Sequence, residues 1–191
     1  ADAMLISMFA ASGSIDDTHT AGKINWSFNS GAEAFNFLPA GQTLILTYTV
    51  QSTDSSGAVA THPVTVTITG TDDLPVLPSD SNVITELADS AASNAVTGSV
   101  ITALDTDEDN GQGYTTMQVT DAAHRGGASA NVGTGTEITG TYGTLTINSD
   151  GSYTYTLNNT AGSAADSLAN GETGTDTFDL TIKDAGNSTS T

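Results

Sequence analysis

The sequence predicts an all-β chain packed as a sandwich, and three observations carry that expectation. Short segments rich in Thr, Val, Ile and Tyr alternate apolar and polar residues, the period of a strand with one buried face. Each segment is bounded by Gly, Asp, Asn, Ser or Pro, the residues that turn a chain. Sustained helical periodicity is absent, apart from a short turn candidate in "AADSLANGE" (164–172) and its match "AEAFNFLPAGQ" (32–42). A sandwich follows, because a one-faced sheet must bury that face against another.

Taken in order, the chain opens with "ADAMLISMFAAS" (1–12). Its apolar patch lacks the basic flank of a signal peptide and reads as an initial strand, "MLISM", within a longer chain. Strands are then expected at "KINWSF" (23–28), "TLILTYTVQS" (43–52) and "PVTVTITG" (63–70). After these come "SVITAL" (99–104), "TTMQVT" (115–120), "GTLTIN" (143–148), "SYTYTL" (152–157) and "DTFDLTIKD" (176–184). No apolar run approaches the ~18–20 residues of a membrane span.

The stretch "GTLTINSDGSYTYTL" (143–157) is specific enough to predict a register. A two-residue Asp-Gly turn would split its apolar residues between faces. A three-residue loop, Ser149-Asp150-Gly151, sets Ile147 opposite Tyr153 and Leu145 opposite Tyr155, on one apolar face. Gly151 suits the left-handed closing position of such a loop, so Asp150 is read as turn chemistry.

Charge narrows the function classes. Three Lys and Arg face 22 Asp and Glu, a formal charge of −19. Such a chain repels nucleic acid and anionic membrane surfaces and attracts cations. The acids are mostly Asp scattered through loops, unlike the solid block of a disordered acidic tail. With no Cys, disulfides, thiolate metal sites and cysteine nucleophiles are excluded.

The chain also repeats itself. Leu38, Gly41, Thr43, Thr47, Tyr48, Val50 and Asp54 align without a gap on Leu168, Gly171, Thr173, Thr177, Phe178, Leu180 and Asp184, at an offset of 130. One residue out of that register, "INWSFN" (24–29) matches "YTYTLN" (153–158), which sets Trp26 on Tyr155 as a core residue. Residues 1–74 therefore read as the rear of one β-sandwich module. Residues 75–191 read as a second module lacking its last strand, unless the opening strand substitutes for a missing one in its own module.

Carboxylates concentrate in two places. In "LDTDEDNGQG" (104–113), Asp105, Asp107 and Asp109 recur at every second residue. Close carboxylates repel unless a cation or protons neutralise them, and a loop of oxygen ligands suits Ca2+. The EF-hand pattern is not met, because Asn110 and Thr116 stand where Gly and Glu would be required. A solvated acidic loop is the alternative. The second place is "TGTDDLPVL" (69–77), where Asp72 and Asp73 end a strand and Pro75 stiffens the exit. Glu86 follows in "VITELA", at the expected first strand of the second module.

"GTYGTLTINSDGSYTYTLNN", "LANGETGTDTFDLTIKD" and "VTVTITGTDDLPV" together resemble the VCBS-type repeat, a cadherin-like bacterial module of large RTX-type surface adhesins. The resemblance implies tandem cadherin-like, immunoglobulin-like Greek-key β-sandwiches, Ca2+ at module junctions, and an extender role in cell adhesion or biofilm formation outside the cell. It carries ligand roles to Asp72, Asp73, Glu86, Asp105 and Asp107, with Asp109 beside them. Asp184 and its equivalent Asp54 are additional ligands or simple turn caps. The junction departs from the usual pattern, with Asp73 where Asn is common, which supplies the same oxygens with more charge. Partners implied are neighbouring repeats of the same chain and surface glycans or proteins.

Other chemistries find little footing. His19, His62 and His124 lie far apart and read as surface residues. No Gly-x-Ser-x-Gly elbow precedes a helix, and 6% aromatic residues with one Trp make a poor glycosidase cleft. No enzyme is expected. The competing reading is a calcium-dependent carbohydrate- or protein-binding module, using the irregular "DAAHRGGASANVGTGTE" (121–137) and Arg125 as a ligand-reading loop.

Overall fold

A computed structural model describes residues 3–13, 23–87, 94–109 and 111–191. The chain divides into two compact units, Ala1–Thr71 and Asp72–Thr191. His19 lies outside the described residues.

In the first unit, helix α1 (Ala3–Ser7) leads into strand β1 (Phe9–Ser12), which pairs antiparallel with β2 (Asn25–Phe28). The "MLISM" stretch is thus not a strand. Leu5 and Met8, three residues apart, both turn to the core, as helical spacing requires. Strands β3 (Thr43–Thr53) and β4 (Val59–Thr69) form a hairpin of 11-residue arms. Met8, Phe35 and Leu38 are buried there, packed by Leu5, Phe28, Leu44 and Ile68. Along β3 every second residue is half-buried and none is fully covered. Trp26 also departs from expectation. It is 51% exposed, at the outer end of an aromatic stack in which Phe9 lies 5.7 Å from it and 4.4 Å from Tyr48.

The second unit is the sandwich. Its strands are β5 (Asn94–Ser99), β6 (Gln118–His124), β7 (Ala130–Asn131), β8 (Thr136–Thr139), β9 (Gly143–Ile147), β10 (Ser152–Leu157), β11 (Phe178–Lys183) and β12 (Thr189–Ser190). They make two four-stranded sheets, ordered β5-β10-β9-β8 and β12-β11-β6-β7. The chain changes sheet between β5 and β6, between β7 and β8, and between β10 and β11. Ile138, Leu145 and Ile147 from one sheet meet Val119, Ala122 and Ile182 from the other, with Ile101 and Met117 alongside. Ile147 has no exposed surface, so truncating it to Ala would cost about 2–5 kcal/mol.

Strands β9 and β10 pair in the register that parity demanded, Ile147 with Tyr153 and Leu145 with Tyr155. Gly151 closes the loop at φ +83°, where a Cβ would also strike Ile101. Asp150 accepts from the Ser152 N–H (2.9 Å) and hydroxyl (2.6 Å). Those bonds hold its carboxyl below the ordinary value.

Strand boundaries moved where side chains captured the backbone. The strand expected at 99–104 lies at Asn94–Ser99, and the chain then turns because Asp105 accepts the Thr102 N–H (2.5 Å). Residues 114–116 form a 3-10 turn, so β6 starts at Gln118. Residues 77–87 form no strand. The Asn94 side chain takes the Thr85 carbonyl, and Asn82 reaches the Tyr153 hydroxyl (3.3 Å), where a ladder would otherwise run.

The internal repeat holds in backbone detail. Ser52 pairs with Ala60 and Thr53 with Val59; 130 residues on, Ile182 pairs with Ser190 and Lys183 with Thr189. Both hairpins are preceded by the same turn, with the Gln42 N–H on the Pro39 carbonyl (2.9 Å) and the Glu172 N–H on Ala169 (2.8 Å).

Candidate cation site

Three segments of the second unit bring acidic side chains together. The 72–76 segment is held to the acidic loop by a two-way bridge between Val76 and Thr106 (2.8 and 3.1 Å). The β11–β12 turn joins them through Ser190, whose hydroxyl donates to the Pro75 carbonyl (2.7 Å). Asp72, Asp73, Asp107, Asp109 and Asp184 are collected by these contacts.

Donors reach only part of this oxygen set. Asp72 Oδ2 accepts from the Ser188 N–H (3.0 Å) and hydroxyl (2.7 Å). The Ser188 N–H is shared with Asp184 Oδ1 (2.9 Å). Asp109 Oδ2 accepts from the Asp73 N–H (3.2 Å) and from Gln112 Nε2 (3.0 Å), and Asp107 Oδ1 from the Asp109 N–H (2.9 Å). Left over are Asp107 Oδ2, Asp109 Oδ1 and Asp184 Oδ2, each buried with no hydrogen-bond partner among the described residues. Asp109 is 1% and Asp184 2% exposed.

Electrostatics reports the same crowding. Burial, then the charges of Asp109, Asp184 and Asp72, push the Asp107 carboxyl above its ordinary value. Burial and Asp72 do the same to Asp184, despite the backbone donors of its own turn. Asp73 is raised by burial and by Asp109, Glu108 and Asp72. Either protons or a cation must relieve such a group.

Asp176 supplies an internal control. Its side chain is equally hidden, yet it accepts from the Thr141 N–H (2.7 Å), the Tyr142 N–H (3.0 Å) and the Tyr155 hydroxyl (2.6 Å), and lies 3.3 Å from His124 Nε2. Burial alone would raise its carboxyl, but these donors hold it below the ordinary value. This fold can satisfy a buried carboxylate completely, and at Asp107, Asp109 and Asp184 it does not. His124 is accordingly not the simple surface residue expected; half-buried, it packs edge-on against Phe178.

The remaining expected ligands lie elsewhere. Asp105 is buried but spends Oδ2 on Thr102, and its charge bears on Asp80, which burial and Asp105 together raise. Glu86 is half-buried on the irregular 77–87 segment, and the hydrogen bonds that gather the acidic group do not involve it. Asp54, in the first unit, is exposed and accepts from the Ser56 N–H, the Ser56 hydroxyl and the Ala58 N–H. Among the described residues no group of three or more His, Cys, Asp or Glu side chains is placed so that it could hold a metal ion as it stands.

The donor set nevertheless fits a hard cation. Asp72, Asp107, Asp109 and Asp184 offer carboxylate oxygens alone, three of them buried and unpaired, which suits calcium's preference for many oxygen ligands. Sequence reasoning missed Gln112, Ser188 and Gly186. A Cβ at 186 would overlap Asp72 Oδ1, so this glycine makes room for that carboxylate. The repeat alignment held a signal for it, since Ser56 stands at the equivalent position.

The two antiparallel four-stranded sheets, packed face to face, define the class as a β-sandwich module. Residues 72–191 match the bacterial cadherin-like domain, and the chain belongs to that family. No curated protein matches it. Among the described residues no helix is long and apolar enough to cross a membrane.

Proposed function

We propose that this chain is a calcium-binding extracellular module of a bacterial adhesin of the VCBS-repeat and RTX kind, acting as a rigid extender in cell adhesion or biofilm formation. The observation that carries the reading is the trio of buried carboxylate oxygens without donors at Asp107, Asp109 and Asp184. With Asp72, these side chains would hold the ion. Calcium would supply the positive charge that makes their burial favourable, in a chain carrying −19 formal charges.

The mechanical role follows from where the ligands lie along the chain. Asp72 directly follows the first unit, whereas Asp109 and Asp184 belong to loops of the sandwich. Binding would tie the 72–76 segment to two sandwich loops and remove its freedom, the step an extender needs at each junction between neighbouring repeats. Extracellular calcium modules bind at about 10⁻⁴–10⁻³ M, so environmental calcium would set the stiffness.

The glycan- or protein-binding reading draws less support. The 121–137 stretch is used for the end of β6, a tight turn, β7 and the start of β8, and Arg125 is paired with Asp179 at 2.6 Å. Thermal melting in calcium against chelator tests the main reading. At 100-fold excess over Kd the ion should add about 2.7 kcal/mol. An unchanged midpoint sinks it.

A further inference from the structure

We propose that the Gln112 side-chain amide is a built-in placeholder for the cation, occupying the carboxylate cluster until an ion displaces it. The inference rests on the cation reading above and adds a residue that sets its affinity. Gln112 Nε2 donates to Asp109 Oδ2 (3.0 Å) and points to Asp72 Oδ1 (3.5 Å), two carboxylates brought in by different segments. Its Oε1 accepts the Gly186 N–H (2.9 Å) from the third segment. That N–H fixes which end of the amide is oxygen, so the donor end must face the carboxylates.

An amide N–H2 carries partial positive charge and no acceptor, which makes it a weak neutral substitute for a metal ion between two anions. It relieves Asp72 and Asp109 in part and leaves the buried oxygens of Asp107, Asp109 and Asp184 unanswered. An ion binding to Asp72 and Asp109 must break the amide bonds first. Gln112 therefore steadies the ion-free chain and weakens apparent calcium affinity, because affinity is measured against the state the ion replaces. A bare cluster would bind more tightly but would be repulsive before calcium arrived.

The test is calcium titration by calorimetry, with melting in chelator, on the whole chain and two variants. Gln112→Met keeps the volume and removes the donors. It should melt lower in chelator and bind calcium about tenfold tighter, the scale of a hydrogen bond to a charged group. Gln112→Lys places a full ammonium among the carboxylates and should do the reverse, melting higher in chelator and binding at least about tenfold more weakly. Weaker binding in Gln112→Met would overturn the proposal and make the amide oxygen a ligand. Equal destabilisation with and without calcium, at unchanged Kd, would also overturn it and leave a structural tie. If wild type takes no calcium, the cation reading fails and the placeholder falls with it; wild-type binding with the wrong variant signs defeats the placeholder alone.

Discussion

Two turns in this chain are copies of one another, and only one gathers a carboxylate cluster. In both, an Asp ends a strand, its N–H bonds the carbonyl four residues on, and its carboxylate accepts the N–H of that same residue. The distances are 2.9 and 2.7 Å from Asp54 to Ala58, and 3.1 and 2.9 Å between Asp184 and Ser188. A left-handed residue closes each, Gly57 at φ 87° and Asn187 at φ 85°. The first turn satisfies itself, since the Ser56 hydroxyl bonds Asp54 and the carboxyl is held below its ordinary value. In the second, Gly186 replaces Ser56 and Ser188 replaces Ala58. The missing side chain admits Asp72, the new hydroxyl holds it, and Asp184 is raised where Asp54 is lowered. Of the four positions at which the two tips differ, the exchanges at 186 and 188 are the ones that bring Asp72 against Asp184.

Grafting the first turn onto the second breaks the comparison most severely. Gly186→Ser puts a side chain where Asp72 sits, so we expect a loss of about 1–3 kcal/mol by overpacking and a calcium affinity lowered more than about tenfold. Chemical denaturation with and without calcium reads both. A variant that keeps full affinity would show that Asp72 is not needed at the site.

Charge removal sharpens the difference more gently. Asp184→Asn takes one charge from a crowded group, so its midpoint in chelator should hold or rise while the calcium-induced shift shrinks. Asp54→Asn, in the self-satisfied copy, should leave the calcium shift as it is. Equal responses from the two would erase the distinction drawn between the turns.

The smallest effect is in pH. Asp107 and Asp184 hold protons more tightly folded than unfolded, so in chelator their penalty is complete above their raised values. It lifts as pH falls towards the ordinary 3.8. Asp176 has the opposite sign, since its contribution is present above 3.8 and is lost as pH falls through its depressed value. Melting midpoints in chelator should therefore rise on mild acidification and fall on stronger acidification. Replacing Asp107 and Asp184 by Asn should reduce the rise, to which Asp73 and Asp80 also contribute, and Asp176→Asn should make the later fall shallower. A midpoint that only falls would contradict the raised values.

Much of the fold was legible because strand periodicity and turn residues act locally. The β9–β10 register could be read from parity alone, since only one loop length puts Leu145, Ile147, Tyr153 and Tyr155 on one face. The repeat matched β11 to β3, and the turn that Asp184 opens to the one that Asp54 opens, for the same reason. Where local reading failed, a side chain outside the pattern had taken a backbone group. Asp105 closed a turn on Thr102, and Asn94 captured Thr85 at the place where the strand holding Glu86 was expected. The Ala3–Ser7 helix and the exposed Trp26 were missed because short apolar stretches carry no decisive period.

For the acidic group, the sequence by itself determined composition: many Asp, almost no compensating base, and oxygen as the only ligand chemistry in those loops. It could not rank one Asp above another, because Asp54, Asp105, Asp150 and Asp184 all look alike at the ends of strands. Tertiary structure made that choice by deciding how many donors each carboxylate meets. Asp150 and Asp54 meet enough from their own turns, and Asp176 meets them from other segments. Asp107, Asp109 and Asp184 each keep one buried oxygen unanswered among the described residues. Burial and donor count depend on residues far away in the chain, and those two quantities separate a turn cap from a ligand.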